Sequence, residues 1–235
     1  MKKISPGEFT EKLKTACGDN LKSVVLYGSA AAGDYAAKGS DYNVLIVLND
    51  LQPAVLCQLS KPVANWEKAG NPAPLFFTRK RLTEAADVFS IELLDMRDAR
   101  KVLFGEDVIA GIHPDTANLR LQVERELRSA LIQLRRNYLS VCGSPRRLTA
   151  LLTGSLSGVL TIFRAALRLY ENPVPAGKFQ ALEKLSGHIP VALEAFRQIQ
   201  ALKVGTIKIK KVDVGRLFEE YLKSIEAGVD AVDRI

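Results

Sequence analysis

Two segments of this sequence, eleven residues apart, contain the best candidates for binding or catalytic residues. The first is a glycine–serine pair, and the second is an apolar segment that begins with an acid. Gly28 and Ser29 follow the apolar run Lys22–Tyr27, and Ser40-Asp41 opens the next apolar run, which ends at Leu48. A strand that ends in Gly-Ser and opens a helix offers free backbone amides, a hydroxyl and a positive helix terminus, all suited to phosphate. Gly28 and Ser29 are therefore predicted to hold the phosphates of a nucleotide.

The second segment supplies candidate ligands for a metal ion. Asp41 and position 43 point to the same face of a strand, because strand side chains alternate with a period of two. Two carboxylates in that arrangement can coordinate one Mg²⁺, but residue 43 is an asparagine and not an acid. An amide oxygen still coordinates a hard cation, although it brings no charge.

Together, Gly28-Ser29 and the strand beginning Ser40-Asp41-x-Asn43 resemble the signature of the DNA polymerase beta nucleotidyltransferase superfamily. The chain is similar to its smaller bacterial members of the kanamycin nucleotidyltransferase kind, which also carry a C-terminal helical bundle. The resemblance implies Mg²⁺-dependent transfer of a nucleoside monophosphate from a nucleoside triphosphate to a hydroxyl acceptor, with two metal ions aligning the attack. Its specific motifs cover roughly residues 20–95.

The same resemblance implies a third acid on a later strand, between apolar residues. Ile91-Glu92-Leu93 matches that placement, which makes Glu92 the candidate and Asp95 its reserve. Asp41, Asn43 and Glu92 are thus the predicted metal ligands and catalytic residues. The sequence departs from the family at Asn43, where a carboxylate is usual, and at Ala30-Ala31-Ala32, where many aminoglycoside-modifying relatives have an arginine.

Several alternatives stay open at this stage. Asn43 favours a catalytically inactive module that binds a nucleotide or a protein partner and pairs as a homodimer. Asp41 is also a plausible strand cap, and Glu92 a partner for a nearby arginine. The general base of an active enzyme is unassigned, with Glu124 or Glu126 in the second half as examples.

The first half reads as alternating strands and helices, and the second as helices alone. Strands are predicted at 22–27, 42–48, 74–78 and 88–94, and helices at 9–17, 52–68, 115–142, 145–171, 177–186 and 190–202, with another near the C-terminus. The predicted fold is α+β: an N-terminal mixed sheet flanked by helices, followed by a C-terminal all-α bundle. The predicted domains are a nucleotidyltransferase-like domain at 1–114 and a helical bundle at 115–235.

Charge and composition narrow the function classes. Residues 1–114 hold 14 Lys/Arg and 14 Asp/Glu, whereas residues 115–235 hold 19 and 12, so the basic excess lies entirely in the second part. Nucleic-acid binding through Lys203, Lys208, Lys210 and Lys211 is a third and weaker hypothesis. The segment Gly28-x-x-x-x-Gly33 is followed by Asp34, where a P-loop ATPase has lysine, so that class of enzyme is not expected.

Location and cofactor class are also predicted from composition. The three cysteines are widely spaced and not arranged for a zinc site or a disulfide framework. The apolar run Leu148–Phe163 is interrupted by glycines and serines, so a buried core helix is expected rather than a membrane span. The N-terminal residues resemble no secretion signal, and a cytoplasmic protein is expected.

Overall fold

The computed structural model describes residues 4–28, 30–31 and 42–235. The chain divides into two compact units, Met1–Asp115 and Thr116–Ile235. The first unit combines a sheet with helices and the second contains helices, which confirms the predicted fold class of a mixed sheet with flanking helices and a C-terminal helical region.

A four-stranded mixed sheet forms the centre of the first unit. Its strands are β1 (Leu21–Tyr27), β2 (Asn43–Leu48), β3 (Leu75–Thr78) and β4 (Arg100–Gly105). They lie in the order β3-β2-β1-β4, with β1 antiparallel to both β2 and β4 and β2 parallel to β3. The middle strands β1 and β2 are apolar along most of their length, because helices cover both faces of the sheet.

The described residues of this unit form the helices α1 (Pro6–Cys17), α2 (Pro53–Lys68), α3 (Arg79–Glu84) and α4 (Ser90–Asp98). On one face, Phe9 of α1 and Trp66 of α2 join the core that contains Val24 and Ile46. On the opposite face, α3 and α4 contribute to a second core cluster. That cluster includes Val25, Leu45, Val47, Leu82, Leu93 and Met96, with Tyr27 packed against it.

The predicted strand Val88–Leu94 is wrong, because Ser90–Asp98 forms helix α4. Short apolar runs do not distinguish a strand from a buried helix by periodicity. Here the buried residues stand at helical i, i+3 spacing, in the pairs Ile91 with Leu94 and Leu93 with Met96. The remaining strand of the sheet is instead β4, a short segment that the sequence did not identify as a strand.

The second unit consists of helices α5 (Thr116–Val141), α6 (Pro145–Leu167), α7 (Lys178–Leu185), α8 (Leu193–Val204) and α9 (Val214–Asp233). Ser144 caps the start of α6, where its side chain accepts a hydrogen bond from the Arg147 amide, and Asp213 caps α9 in the same way. Helix α5 buries a stripe at helical spacing. Its members are Leu119, Val123, Leu127, Leu131 and Leu134.

Helix α6 is the central helix of this unit and contacts α5, α7, α8 and α9. Within the part of the chain that the structure describes, it is the one helix long and apolar enough to cross a membrane by length and composition. Half of its most apolar window is buried inside the protein. A core helix of a compact unit has the same composition, and this is the role that the sequence predicted.

Candidate active site

The turn after β1 is built on Gly28. This residue has a φ of 79°, in the left-handed region that favours glycine. Its amide donates to the carbonyl of Ala99 at 2.9 Å, and its carbonyl accepts from the amide of Ala31 at 2.9 Å. Gly28 therefore forms a tight turn at the end of β1, and its own amide is engaged with the sheet. Ser29, the other predicted phosphate ligand, lies outside the described residues.

Asn43 lies directly beside this turn. It is the first residue of β2 and pairs with Tyr27, the last residue of β1. A Cβ atom added to Gly28 would stand 3.3 Å from Nδ2 of Asn43, so the amide group occupies the space next to the glycine. The structure brings Gly28 and Asn43 together at one end of the sheet. Asp41, two residues earlier in the sequence, lies outside the described residues.

Glu92 belongs to helix α4, whose apolar side chains pack on the same sheet face as Tyr27. Its side chain is exposed and stands in the first turn of the helix. Burial raises the pKa of Tyr27 to about 12, and the negative charge of Glu92 contributes to that rise. The carboxylate of Glu92 therefore acts electrostatically on the end of β1, although a helix and not a strand carries it.

Tyr27 is the member of this corner that the sequence did not identify. It is half-buried and ends β1 immediately before the glycine turn. A period of two along β1 was the available signal, because it places Tyr27 on the same face as Val25. The corner of the sheet thus combines a positive-φ glycine, an amide, a phenol and a nearby carboxylate.

The donors that the structure describes at this corner are too few for two metal ions. Asn43 offers a neutral oxygen and Glu92 one carboxylate, whereas two Mg²⁺ ions require several charged oxygen ligands. Among the described residues, no group of three or more His, Cys, Asp or Glu side chains is arranged to hold a metal ion. Asp95, the reserve acid, lies on α4 with one carboxylate oxygen buried.

The two glutamates considered as a base lie in different surroundings on α5. Glu124 forms ion pairs with Arg120 at 3.1 Å and with Arg128 at 2.9 Å, which hold its carboxylate in place. Glu126 instead lines a groove between α5 and α6.

Comparison with known proteins supports the fold assignment. No protein-family model matches the chain, and no curated protein sequence matches it. Among solved structures, it is similar to the spectinomycin adenyltransferase AAD(9) from Enterococcus faecialis, determined with ATP and spectinomycin. The TM-score is 0.58 at 14% sequence identity, and the similarity covers 93% of this chain and 98% of that one. This likeness shows a shared nucleotidyltransferase fold along nearly the whole chain.

Proposed function

We propose that this protein is a nucleotidyltransferase, which transfers a nucleoside monophosphate from a nucleoside triphosphate to a hydroxyl group. The observation that carries the proposal is the corner formed by Gly28 and Asn43 on a nucleotidyltransferase fold. Gly28 belongs to the sequence motif Gly28-Ser29, and Asn43 belongs to the motif Asp41-x-Asn43.

The proposed chemistry starts from the shape of this corner. With no side chain at Gly28, a triphosphate can approach the backbone of the turn closely. The acceptor's hydroxyl oxygen then bonds to the α-phosphorus, and the bond to the oxygen that bridges to the β-phosphate breaks. The hydroxyl proton passes to water, and pyrophosphate leaves with the bridging oxygen. Mg²⁺ would be held by the phosphates of the nucleotide, by water and by only one or two groups of the protein.

Asn43 would face the phosphates from the start of β2, and Glu92 would add negative charge from α4. Asp41 and Glu92 would be the charged ligands of the ion that the nucleotide brings, and Asn43 would be a neutral one. Tyr27 would stay protonated at neutral pH, because burial and the charge of Glu92 raise its pKa to about 12.

The structural neighbour suggests which substrates to test first. That protein was determined with ATP and spectinomycin, so ATP is the first nucleotide, and small polyhydroxylated compounds including spectinomycin are the first acceptors.

A second candidate function is nucleotide binding without transfer. It is favoured by one specific feature, the neutral amide of Asn43 at a position where the superfamily carries a carboxylate. In that case the chain would act as a nucleotide sensor or as a partner for another protein.

The two candidates are separated by a transfer assay. The protein is incubated with α-³²P-labelled ATP, Mg²⁺ and a panel of hydroxyl compounds, and labelled acceptor and released pyrophosphate are measured. Transfer predicts equal amounts of both products. Asn43→Asp is expected to raise the rate and Glu92→Gln to lower it, whereas Glu67→Gln is a matched control, because Glu67 is exposed on α2.

The variants also define the result that would reject the transferase. If wild-type protein and Asn43→Asp both bind ATP but release no pyrophosphate with any acceptor, the binding function remains and the transferase proposal fails. If Glu92→Gln and Glu67→Gln have equal effects, Glu92 has no part in the reaction.

A further inference from the structure

The helical unit has an end at which α5 finishes and α6 and α9 begin. Tyr138, in the last turn of α5, stacks on Phe218, in the second turn of α9, with ring centroids 4.5 Å apart. Arg135, earlier on α5, pairs with Glu226, later on α9, so the two helices run antiparallel. Helix α6 starts directly after the turn 142–144 that follows α5.

Helix α8 finishes at the same end. The amide of Ala192, which precedes α8, donates to the hydroxyl of Ser224 at 3.0 Å, and Phe196 in its first turn packs on Tyr221 with ring centroids 5.0 Å apart. Later positions of α8 therefore meet earlier positions of α9. The segment after α8 passes through the turn Ile209–Lys211, which contacts α6. We call this end of the unit, made of residues 136–147 and 203–211, the basic end.

Cations without acidic partners cover the basic end. All of them are exposed: Arg136, Arg146, Arg147, Lys203, Lys208, Lys210 and Lys211. Among the residues that the structure describes, none of these side chains forms an ion pair. The segments 127–170 and 195–212 contain no Asp or Glu. Of the acids that follow in the first turns of α9, Asp213 caps the helix and Glu220 pairs with Arg216 at 3.0 Å. The positive charge of this end is therefore largely uncompensated.

The stability of the fold does not explain two of these cations. Arg146 and Arg147 stand in the first turn of α6, directly after the cap Ser144 and Pro145. The N-terminus of a helix carries a partial positive charge, which disfavours cations in the first turn. An anion outside the protein would be attracted both by the helix terminus and by the two guanidinium groups.

The basic end also carries exposed apolar side chains. Leu139, in the last turn of α5, is 80% exposed, and Val204, the last residue of α8, is 60% exposed. These are the two most exposed of the large apolar side chains in the part of the chain that the structure describes. Single exposed apolar residues are normal on a protein surface, but here both belong to the end that carries the unpaired cations.

This combination favours a lipid surface over a nucleic acid. Apolar side chains gain little from a sugar–phosphate backbone, and Tyr138, the aromatic residue of this end, is already stacked on Phe218. At the surface of a bilayer, in contrast, apolar side chains enter the acyl boundary while lysines and arginines stay at the level of the headgroups. Anionic lipid attracts each nearby cation further.

We propose that the basic end binds a membrane surface that contains anionic lipid. Leu139 and Val204 would enter the lipid, and the surrounding arginines and lysines would contact the phosphates. The four lysines of this end suggested nucleic-acid binding from the sequence alone, and the exposed apolar side chains change that assignment. The inference is independent of the proposed function, because it rests on the helical unit alone and needs no nucleotide.

The test measures sedimentation of the full-length protein with vesicles. One set of vesicles is made of phosphatidylcholine alone, and the other is a mixture of phosphatidylcholine and phosphatidylglycerol. The protein is expected to bind the mixed vesicles, to bind phosphatidylcholine alone far more weakly, and to lose affinity as salt is added. Binding of a DNA duplex is measured in parallel by fluorescence anisotropy at the same salt concentrations.

The first variant tests the cations. Arg146→Gln combined with Arg147→Gln is expected to weaken binding to the mixed vesicles by roughly 25-fold, which is about fivefold for each cation near an anionic surface. Lys61→Gln combined with Lys68→Gln removes the same charge from exposed positions of α2 and is expected to have a much smaller effect. This control separates the basic end from the net charge of the protein.

The second variant tests the apolar side chains. Leu139→Ala combined with Val204→Ala is expected to weaken binding by about tenfold, because fewer carbon groups enter the lipid. Leu121→Ala combined with Val88→Ala is the matched control, since these residues have the same side chains and are 57% and 59% exposed elsewhere. All the substituted residues are exposed, and circular dichroism checks that each variant is folded.

Several results would overturn the inference. They are an absence of binding to the mixed vesicles, equal binding to both kinds of vesicle, and losses that are the same for the variants of the basic end and for their controls. Binding to the DNA duplex without binding to the mixed vesicles would also overturn it, and would assign this end to nucleic acid instead. The two variants act through different side chains, so either one keeps the test decisive if the other fails to fold.

Discussion

Replacing Gly28 with alanine tests the contact that defines the candidate site. Two separate costs are expected from the structure. The φ of 79° is unfavourable for a residue with a Cβ atom, and the new Cβ would stand 3.3 Å from Nδ2 of Asn43, which is a tight contact. The backbone cost is roughly 1–2 kcal/mol, and moving the Asn43 side chain away from its rotamer costs about 0.5–1.5 kcal/mol more.

Gly70 provides a matched reference for the first cost. Its φ is 91°, but nothing lies within 4 Å of an added Cβ. Gly70→Ala is therefore expected to show the backbone cost alone, and Gly28→Ala to exceed it by about 0.5–1.5 kcal/mol of unfolding free energy. In an Asn43→Ala background the excess should vanish, because the side chain that the Cβ meets is gone.

The sequence supplies a probe for this unit alone. Trp66 is the single tryptophan of the chain, and it is fully buried in the first unit, where it stacks on Phe9 with ring centroids 4.3 Å apart. Urea unfolding followed by its fluorescence therefore reports the stability of the unit that contains Gly28. Equal losses for Gly28→Ala and Gly70→Ala, or an excess that persists without the Asn43 side chain, would refute the arrangement described for this corner.

Further predictions concern Tyr27 and the helical unit. Because burial is the larger cause of the raised pKa of Tyr27, Glu92→Gln should lower that pKa from about 12 yet leave it above 10, as measured by ultraviolet titration of tyrosinate. Because folding raises this pKa, Tyr27 contributes stability that is fully present below its pKa in the unfolded chain, near 10. That contribution is lost as the pH rises toward 12. A free energy of unfolding that does not change across this pH range would contradict the prediction. In the helical unit, Gly228→Ala should destabilise by about 1–3 kcal/mol, because the ring of buried Phe163 cannot give way. No atom lies within 4 Å of a Cβ added to Gly158. Gly158→Ala should instead stabilise by about 0.5–1 kcal/mol in the same denaturation experiment, and a loss of stability would show that glycine is needed there for packing.

The sheet illustrates how far the sequence could predict the fold. The middle strands were found from their apolar residues and flanking turns, and β2 starts within one residue of its predicted position. The segment around Glu92 was misassigned, because its burial depends on contacts with Leu45 and Val47 from a distant part of the chain. Strand β4 was missed for a related reason, since it is stabilised by pairing with β1, about eighty residues earlier.

The candidate site was predictable in part. The Gly-Ser motif and the alternation of β2 pointed to Gly28 and Asn43, and the structure places these two side by side. Tyr27 was not predicted, because its importance arises from the packing of α4, which puts the charge of Glu92 near its hydroxyl. The groove between α5 and α6 was also not predicted. Helical periodicity identifies buried positions, but it gives no sign that Gly154 and Gly158 leave a space unfilled.

The central claim is that the corner of Gly28 and Asn43 binds a nucleotide, and calorimetric titration with a non-hydrolysable ATP analogue tests it most directly. The titration is run with and without Mg²⁺ on the wild-type protein, on Asn43→Asp and on Asn65→Asp, which adds the same charge on an exposed position of α2. Binding that requires Mg²⁺, that Asn43→Asp tightens by about tenfold and that Asn65→Asp leaves unchanged is the predicted result, because a carboxylate adds a charged ligand for the ion on the nucleotide. No binding by any of the three proteins, or an equal effect of the two substitutions, would contradict a nucleotide site at this corner.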